Sequence, residues 1–535
     1  MPEDRSDAPT DPRLPRAVPA GAWTGNRVAA ASPPSLPTTV FLLAAVLLAG
    51  LPLRHMGGEL DGPHVWRQMD TSRTIRAFRE EGVDLLRPVV SWMGTWRVVV
   101  LECPLPQAAA ALAQRALGTE SLAVARSVFF ASFLLAAAAL WAALRASAGE
   151  DVSRWATLAF LATPLAQHYA RALVVDLFAV GAGLLAFALA ASGLRRGSVP
   201  TLALAALVAV PAALVKGPVL LPIAPPLVLL ALARREKRLL VPAALLGLVP
   251  VAAFALWRLH AEAVNGAAPD WSFIPDYHRM TNMGRWYFGS LAQRLDPVAW
   301  KSLAGRLPKA LAGPGGAALV VSAALLLPWR TDRRALGAWL AGAAVYVLVF
   351  WNLNVVHDYY QLATLPALSL LAAGPLALLP ARLASRPFRW LAPLALLGAV
   401  AAVNVGWADR HLYLVPQVGL AFGKEVRSRT PEGALVIAVR DDVDARCPLL
   451  LEPSRRDGWS VREEFLTAEV VRRLEALGAT HLAWVRRGPA APARAAALPA
   501  SRPVERPLPA GWTLSLWDLR EGHGEEAARA GARVE

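Results

Sequence analysis

The sequence is poor in charge and almost free of cysteine. Only 18% of its 535 residues are Asp, Glu, Lys or Arg, and 55% are hydrophobic. A soluble globular protein usually has about a quarter of its residues charged. Cys103 and Cys447 form neither a disulfide framework nor the spacing of a metal site. These shortages argue against a large soluble protein and against a domain held together by disulfides or by Cys-ligated metal.

The hydrophobic residues are grouped in long blocks, which predicts an α-helical polytopic membrane protein. A spanning helix needs about 20 mostly apolar residues, with about 17 as the lower limit. By this criterion we expect about eleven spans, within a range of about 10–13. They are predicted at 37–54, 122–144, 153–170, 173–193, 199–215, 218–233, 239–257, 315–329, 335–353, 359–380 and 389–405. The apolar stretch Pro104–Leu117 is too short to span, so we expect it at the membrane surface.

The net charge of +15 lies in short basic clusters between these blocks, which is typical of cytoplasmic loops rather than of a nucleic-acid-binding surface. If the N-terminus is cytoplasmic, every compact basic cluster faces the cytoplasm. These clusters are at 145–154, 195–196, 234–238, 330–334 and 382–389. We therefore expect a multi-pass inner-membrane protein with a disordered cytoplasmic segment at 1–36 and a disordered tail at 521–535.

The opposite, non-cytoplasmic side then receives two large loops and the C-terminal region. The first outer loop is expected at 55–102 and the second at 260–314, both within a transmembrane domain at 37–407. Residues 408–520 are expected to form a small α/β domain outside, periplasmic or extracellular. This expectation rests on three strand-like segments and one helix-like segment, Ala434–Val439, His481–Val485, Trp512–Leu519 and Thr467–Leu477.

Helical spacing of apolar residues also marks the second outer loop. Asp296-Pro297 suits a helix start, and Trp300, Leu303, Leu307 and Leu311 recur at helical spacing. The pattern predicts an amphipathic helix at the membrane interface.

The first outer loop contains the densest group of polar residues, which a simple anchoring loop would not need. The group is Glu59, Asp61, His64, Trp66, Arg67, Gln68, Asp70, Thr71, Arg73 and Arg76. The stretch from Asp70 to Glu81 suits a helix with Ile75 and Phe78 on one face. Arg73, Arg76 and Arg79 recur one turn apart, as either a solvated helix face or a functional row.

The motif His64-Val65-Trp66-Arg67-Gln68-Met69-Asp70-Thr71, followed by Arg76-Ala77-Phe78 and Gly82, resembles the first outer loop of a known family. The family comprises bacterial relatives of the dolichyl-phosphate-mannose protein mannosyltransferases, including lipid A aminoarabinose transferase (glycosyltransferase family 39-like). Later segments also resemble its motifs: Glu102-Cys103-Pro104-Leu105, Arg171 with Asp176, Lys216 before Gly217-Pro218, and His357-Asp358-Tyr359-Tyr360-Gln361 before Pro366. The resemblance covers roughly residues 37–405. It implies the type C glycosyltransferase fold and a polyprenyl-phosphate-linked sugar as donor.

The resemblance and the chemistry together suggest catalytic roles for three acids. A base must take the proton of the acceptor hydroxyl, and a carboxylate can do so; we assign this to Asp70. Many relatives instead carry an Asp-Glu pair further from the loop's glycine, so Asp61 is the reserve candidate. Glu102 is expected to orient the acceptor or the base. The family implies a single inverting displacement.

The leaving phosphate requires positive charge, and Arg67, Arg171 and Lys216 are the candidate ligands. His64, Asp176, His357, Tyr359 and Tyr360 complete the predicted substrate-binding set. Several of these residues have simpler interpretations. Asp176 could pair with Arg171, Lys216 could extend to the membrane surface, and the two tyrosines could belong to an interfacial aromatic belt.

We therefore expect a membrane glycosyltransferase that acts on a lipid, glycan or protein acceptor outside the cytoplasm. Membrane lipids are expected partners and nucleic acid is not. No cofactor is predicted and no metal ligands are assigned, although His64 and His357 leave a divalent metal open. Two alternatives remain: a polytopic transporter or lipid flippase, and a non-catalytic factor in envelope glycan assembly.

Overall fold

A computed structural model describes residues 36–233, 237–306, 312–326, 333–378, 390–488, 498–499 and 502–520. The two segments expected to be disordered, 1–36 and 521–535, lie outside these ranges except for Leu36. The basic clusters expected at 330–334 and 382–389 also fall largely or wholly outside them.

Helices make up the region before the C-terminal sheet. They are α1 (Thr38–Gly50), α2 (Val65–Glu80), α3 (Leu105–Ala116), α4 (Leu122–Ala148), α5 (Glu150–Leu161), α6 (Pro164–Tyr169), α7 (Asp176–Arg196), α8 (Val199–Lys216), α9 (Ala224–Leu232), α10 (Leu240–Gly266), α11 (Gly284–Phe288), α12 (Leu291–Leu295), α13 (Pro297–Arg306), α14 (Ala312–Leu326), α15 (Arg333–Val349), α16 (Trp351–Val356), α17 (Leu365–Leu378) and α18 (Leu391–His411). The C-terminal region adds α19 (Gln417–Arg429), α20 (Leu451–Ser454) and α21 (Ala468–Ala476), with strands β1 (Leu435–Arg440), β2 (Asp457–Arg462), β3 (His481–Arg486), β4 (Val504–Leu508) and β5 (Trp512–Asp518).

Six described helical segments are long and apolar enough to cross a membrane, so the polytopic class is confirmed. They are Thr38–His55, Leu122–Ala148, Asp176–Arg196, Val199–Leu220, Leu240–Gly266 and Leu391–His411. The count of about eleven is not confirmed. The other expected spans correspond to shorter helices, such as α9 with 9 residues and α5 with 12. Both are well below the about 20 residues that a straight crossing requires.

The boundaries of α7 show how the sequence fixes a span. Asp176 stands in the first turn and Arg195-Arg196 in the last, which matches the charges that the helix dipole favours at each end. Gly197 follows in the left-handed conformation, with φ at 69°. Glycine adopts this conformation without steric cost, so the helix ends there. Between these ends α7 is the most enclosed of the six segments and packs against α4 and α8.

The six segments place their ends in two distinct layers. One layer contains the ends near His55, Leu122, Asp176, Leu220, Gly266 and His411. Contacts join these ends: Arg126 donates to the carbonyls of His55 and Met56, and Arg54 pairs with Asp409 at 2.8 Å. The basic residues of the 145–154 and 195–196 clusters lie at the other layer, where Arg195 donates to the carbonyl of Ala146.

The C-terminal region forms a five-stranded sheet beyond the first layer, as the α/β expectation required. The strand order is β2-β1-β3-β5-β4. Strand β1 is parallel to its neighbours β2 and β3, and β5 is antiparallel to its neighbours β3 and β4. Helix α21 begins after Thr467, whose hydroxyl accepts a hydrogen bond from the Val470 amide as an N-cap. Of the strands, β2 and β4 were not expected from the sequence.

The first outer loop and this sheet share one hydrophobic core. Trp92 and Met93 of the loop are buried together with Trp459 of β2 and with Trp271 of the second outer loop. The Gly94 amide donates to the Gly458 carbonyl at 2.7 Å, and the Gly458 amide donates to the Ser91 carbonyl at 2.9 Å. A side chain on Gly94 would overlap the Trp459 ring. The first outer loop therefore packs as part of the C-terminal sheet region. The domain boundary expected between residues 407 and 408 stays a prediction.

Two shorter helices form where the sequence predicted surface elements, and their position at a membrane surface stays a prediction. Helix α3 has 12 residues within the stretch that was expected at the membrane surface. Helix α13 begins at Pro297 and buries Ala299 and Leu303 while Trp300 is half exposed. The remaining members of its predicted apolar face, Leu307 and Leu311, lie outside the described residues.

Candidate active site

A cavity of about 390 Å³ lies between the first layer of span ends and the C-terminal sheet. Helix α2 borders it on one side, and the last turn of α8 and the part of α10 from Phe254 to Arg258 border it on another. Its polar lining consists of Arg67, Asp70, Glu102, Lys216, Arg258, Tyr287, His357, Tyr359, Tyr360, Asp442, Asp444 and Arg446. Seven of the eleven site residues expected from the sequence are therefore brought together: Arg67, Asp70, Glu102, Lys216, His357, Tyr359 and Tyr360.

Asp70 lies in the second turn of α2, which begins at Val65 rather than near Asp70 as expected. The carboxylate is 5% exposed. Its Oδ1 accepts a hydrogen bond of 2.9 Å from the indole N–H of Trp92, and its Oδ2 lies 3.9 Å from the Arg67 guanidinium. Burial raises the pKa of Asp70 to about 7, although Arg67 and the Trp92 hydrogen bond act to lower it. A carboxylate with this pKa can accept and release a proton near neutral pH.

Arg67 links Asp70 to the end of the first outer loop. Its guanidinium forms an ion pair with Glu102, and both side chains are nearly buried. A buried charge is tolerated only when it is paired, so Glu102 holds Arg67 in place at the wall of the cavity.

Lys216 ends α8 and points into the cavity rather than toward the membrane surface. Its ammonium lies 2.9 Å from Asp176 at the start of α7, and 4.2 Å from the ring centre of Tyr360. The Lys216 side chain is only 11% exposed. Asp176 thus pairs with Lys216, not with Arg171 as one interpretation of the sequence allowed.

Arg171 and Asp61 form a separate buried ion pair away from the cavity. Arg171 is fully buried, and its Nη2 lies 2.6 and 2.7 Å from the two carboxylate oxygens of Asp61. Neither residue lines the cavity. Arg126 nearby donates to the backbone carbonyls of Gly58 and Glu59, a role that was not predicted from the sequence. These residues fix the start of the first outer loop.

His64 is the residue immediately before α2, and its side chain contacts a buried acid of the His-Asp-Tyr-Tyr motif. Its Nε2 lies 3.2 Å from Asp358 Oδ1, which also accepts a hydrogen bond of 2.6 Å from the Tyr169 hydroxyl. Burial acts to raise the pKa of Asp358, but the contacts with His64 and Tyr169 hold that pKa below its ordinary value. Asp358 therefore remains a carboxylate that joins α6, α2 and the segment before α17.

His357 lines the cavity among aromatic rings. Its ring centre lies 5.5 Å from that of Trp66, 5.9 Å from that of Trp286 and 5.2 Å from that of Tyr359, to which it is nearly parallel. Within the described part of the chain, neither of its ring nitrogens has a hydrogen-bond partner. Burial, with the nearby His64 and Lys216, lowers the pKa of His357 to about 3. The imidazole is neutral at physiological pH.

Several lining residues were not found from the sequence. Arg258, about two turns before the end of α10, donates to the Tyr287 hydroxyl at 3.4 Å, and its guanidinium has no carboxylate partner among the residues the structure describes. Trp92 carried no signal in the sequence because its role depends on a contact across 22 residues. Asp442 and Asp444 were interpreted as a charged turn, and they lie at the roof of the cavity with Arg446.

The described residues contain no group of three His, Cys, Asp or Glu side chains arranged to hold a metal ion. His64 and His357 have ring centres 4.8 Å apart, but His64 is directed at Asp358. Among the described residues the structure therefore adds no ligand set for the divalent metal that the sequence left open.

Comparisons with known proteins give a consistent answer for the fold. No family model and no curated protein matches the chain. The crystal structure of ArnT from Cupriavidus metallidurans bound to undecaprenyl phosphate is similar, with a TM-score of 0.54 and 16% identity over 89% of this chain and 97% of that one. Its apo state has a TM-score of 0.51 and 17% identity over the same shares.

An archaeal enzyme shares the same architecture. The oligosaccharyltransferase AglB from Archaeoglobus fulgidus, in complex with an inhibitory peptide and a dolichol-phosphate, has a TM-score of 0.50 and 11% identity, covering 83% of this chain and 69% of that one. At these identities the likeness concerns the fold and not the substrates. The chain therefore has the type C glycosyltransferase fold of ArnT and AglB, as the motifs of its first outer loop predicted.

Proposed function

We propose that this protein is a membrane glycosyltransferase that moves a sugar from a polyprenyl-phosphate donor to an acceptor hydroxyl. The observation that carries the proposal is Asp70: a buried carboxylate with a pKa of about 7, inside a cavity that also presents Arg67, Lys216 and Arg258. Two solved structures with this fold hold a polyprenyl phosphate: ArnT is bound to undecaprenyl phosphate and AglB to a dolichol-phosphate.

The donor phosphate is assigned to Arg258 and Lys216. Arg258 is the better ligand of the two because, within the described chain, its charge has no carboxylate partner. Lys216 is already paired with Asp176, which leaves its other N–H groups for a phosphate oxygen. Arg171, the third ligand expected from the sequence, is replaced in this scheme by Arg258, since Arg171 is occupied by Asp61.

The apolar part of the cavity supports a lipid-linked donor. Leu214 and Val215 line it at the end of α8, and Phe254 lines it near the middle of α10. The outward face of α10 exposes large aliphatic residues, among them Leu256 and Leu259, which suits contact with lipid. A polyprenyl chain can therefore remain in the bilayer while its phosphate reaches the cavity.

In the proposed reaction, the Asp70 carboxylate takes the proton of the acceptor hydroxyl. The acceptor oxygen forms a bond to the anomeric carbon, and the bond from that carbon to the phosphate oxygen breaks. Polyprenyl phosphate leaves with the bonding electron pair, and Lys216 and Arg258 stabilise its charge. Glu102 contributes by fixing Arg67 beside Asp70.

The sugar is assigned to the aromatic pocket around His357. Trp66 and Trp286 offer ring faces for the apolar C–H surface of a sugar. A neutral imidazole can donate one hydrogen bond and accept another, and both nitrogens of His357 lack a partner within the described chain. These features support His357 as a ligand of sugar hydroxyls.

The proposed orientation places the cavity outside the cytoplasm of the inner membrane. The described basic residues of the predicted cytoplasmic clusters lie at the layer opposite the cavity, and such residues are enriched in cytoplasmic loops. The N-terminus is then cytoplasmic, and the C-terminal sheet is periplasmic or extracellular.

A transporter would be expected to carry its ionisable residues near the middle of the bilayer, on broken helices. Here Asp176 is the first residue of α7 and Lys216 the last of α8, so this buried pair lies at span ends. The arrangement favours chemistry at one face over passage through the membrane.

The test is Asp70→Asn in purified protein given a total extract of lipid-linked sugars and acceptors. We expect release of polyprenyl phosphate, followed by mass spectrometry, to fall by at least about a hundredfold, as for loss of a general base. Asp84→Asn is the matched control, because Asp84 is an exposed carboxylate of the same loop. Full release by the Asp70→Asn variant would refute the assignment of the base.

A further inference from the structure

A second cleft, of about 960 Å³, lies on the other side of α2 from the candidate active site. Helix α2 contributes Met69, Ile75 and Arg76 to it, whereas Arg67 and Asp70 face the first cavity. The opposite wall is α19, the first helix of the C-terminal region.

The floor of the second cleft is apolar and lies at the membrane surface. It is formed by Leu60, Met69, Leu122 and Ala125. Leu122 is the first residue of the span α4, so the floor coincides with the layer of span ends. Leu117, which lies along the chain between the cleft residues Gln114 and Glu120, is 67% exposed. Met69 and Ala125 are almost fully buried, whereas Leu60 and Leu122 are partly exposed, so these two leucines are the part of the floor that lipid tails can reach.

The rim of the second cleft carries more positive than negative charge. Arg76 is neutralised by Glu452 at 2.7 Å, and Arg79 and Arg455 both pair with Glu120 at 2.9 Å. These contacts occupy Glu452 of α20 and Glu120 before α4, and they leave the α19 rim basic.

Two cations on α19 have no such partner. Lys424 and Arg427 are three residues apart, on one face of the helix, and both are exposed. Within the described part of the chain, neither side chain forms an ion pair. Glu59 is the remaining acid of the rim, and it lies near the buried Arg126. The unpaired charge at this rim is therefore positive.

We propose that the second cleft binds an anionic phospholipid of the same membrane leaflet. Lys424 and Arg427 bind its phosphate, and its acyl chains cover Leu60 and Leu122. Basic residues beside an apolar surface at the membrane interface favour anionic over zwitterionic headgroups. Because α19 belongs to the C-terminal region, the bound lipid ties that region to the bilayer. The proposal is independent of the sugar-transfer reaction.

The test measures lipid retention by the purified full-length protein. Delipidated protein in detergent is titrated with dioleoyl phosphatidylglycerol or dioleoyl phosphatidylcholine, and bound lipids are counted by native mass spectrometry. We expect phosphatidylglycerol to bind more tightly, and Lys424→Glu combined with Arg427→Glu to weaken its binding roughly tenfold or more. The matched control is Arg472→Glu with Arg502→Glu, which changes the net charge equally at exposed positions outside the cleft.

Two results would overturn the proposal. The first is equal retention of phosphatidylglycerol by the α19 double variant and the wild type. The second is complete displacement of the lipid by inorganic phosphate at matched concentration, since that would identify a phosphate site rather than a lipid site. Replacing Ala421 of the cleft wall by Trp provides an independent check, because it narrows the apolar part without changing charge. It should reduce lipid binding and leave any phosphate binding unchanged.

Discussion

The hydrogen bond from Trp92 to Asp70 gives a quantitative prediction for the Trp92→Phe variant. Phenylalanine keeps most of the buried ring but removes the indole N–H that stabilises the Asp70 carboxylate at 2.9 Å. A hydrogen bond to a charged group is worth about 1.5–3 kcal/mol. One pKa unit corresponds to about 1.36 kcal/mol, so the pKa of Asp70 should rise by about one to two units from its value of about 7.

The sign of the effect follows from the role of the base. Only the deprotonated carboxylate accepts a proton, so activity rises with pH through the pKa of Asp70. At pH 7 the wild type has about half of its Asp70 ionised, whereas the variant should have about one tenth to one hundredth. Transfer at pH 7 should therefore fall by about 5- to 50-fold and recover near pH 9.

The assay is release of polyprenyl phosphate measured from pH 5.5 to 9.5. Trp96→Phe is the matched control, because the Trp96 indole nitrogen lies in the same loop and is buried without a hydrogen-bond partner among the described residues. Its pH profile should coincide with that of the wild type. If Trp92→Phe also coincides with the wild type over the whole range, the proposed link between Trp92 and the base is wrong.

Two further variants test the buried ion pairs. Lys216→Met should abolish transfer and lower the free energy of unfolding by about 3–5 kcal/mol, because it leaves Asp176 buried without its partner. Adding Asp176→Asn should restore the midpoint of thermal unfolding but not transfer. Recovery of transfer in the double variant would contradict the role of Lys216 in binding phosphate. Asp61→Asn should lower stability by about 3–5 kcal/mol, because Arg171 loses its carboxylate, while turnover per folded molecule stays near that of the wild type. A turnover loss as large as that of Asp70→Asn, in folded protein, would return Asp61 to the catalytic group.

The sequence predicted those elements whose signal is local. Strands β1 and β3 are short apolar runs and were expected close to their observed bounds. Strand β2 was missed because Asp457-Gly458-Trp459 lacks such a run, and its extended form depends on parallel pairing with β1. Strand β4 contains Pro507, which is compatible with its place at the sheet edge. Neither pairing could be derived from local pattern.

In the candidate site, too, residues within short local motifs were predicted and contacts between distant residues were not. The first-loop and His-Asp-Tyr-Tyr motifs located Asp70 and His357, because each is recognisable as a short contiguous segment. The partners of the cations were not predictable, since Asp61 and Arg171 are 110 residues apart and Lys216 and Asp176 are 40 apart. Such pairings are decided by helix packing, which spacing along the chain does not encode.

The backbone pairing of Ser91 and Gly94 with Gly458 has a consequence for engineering this fold. A chimera that exchanges everything after α18 for the equivalent part of another protein would leave Trp92 and Met93 facing a foreign sheet. Because Trp92 also holds Asp70, such a graft would disturb the reaction centre itself. A workable exchange must carry the segment from Pro88 to Val100 along with the C-terminal strands, so the exchangeable unit is discontinuous in sequence.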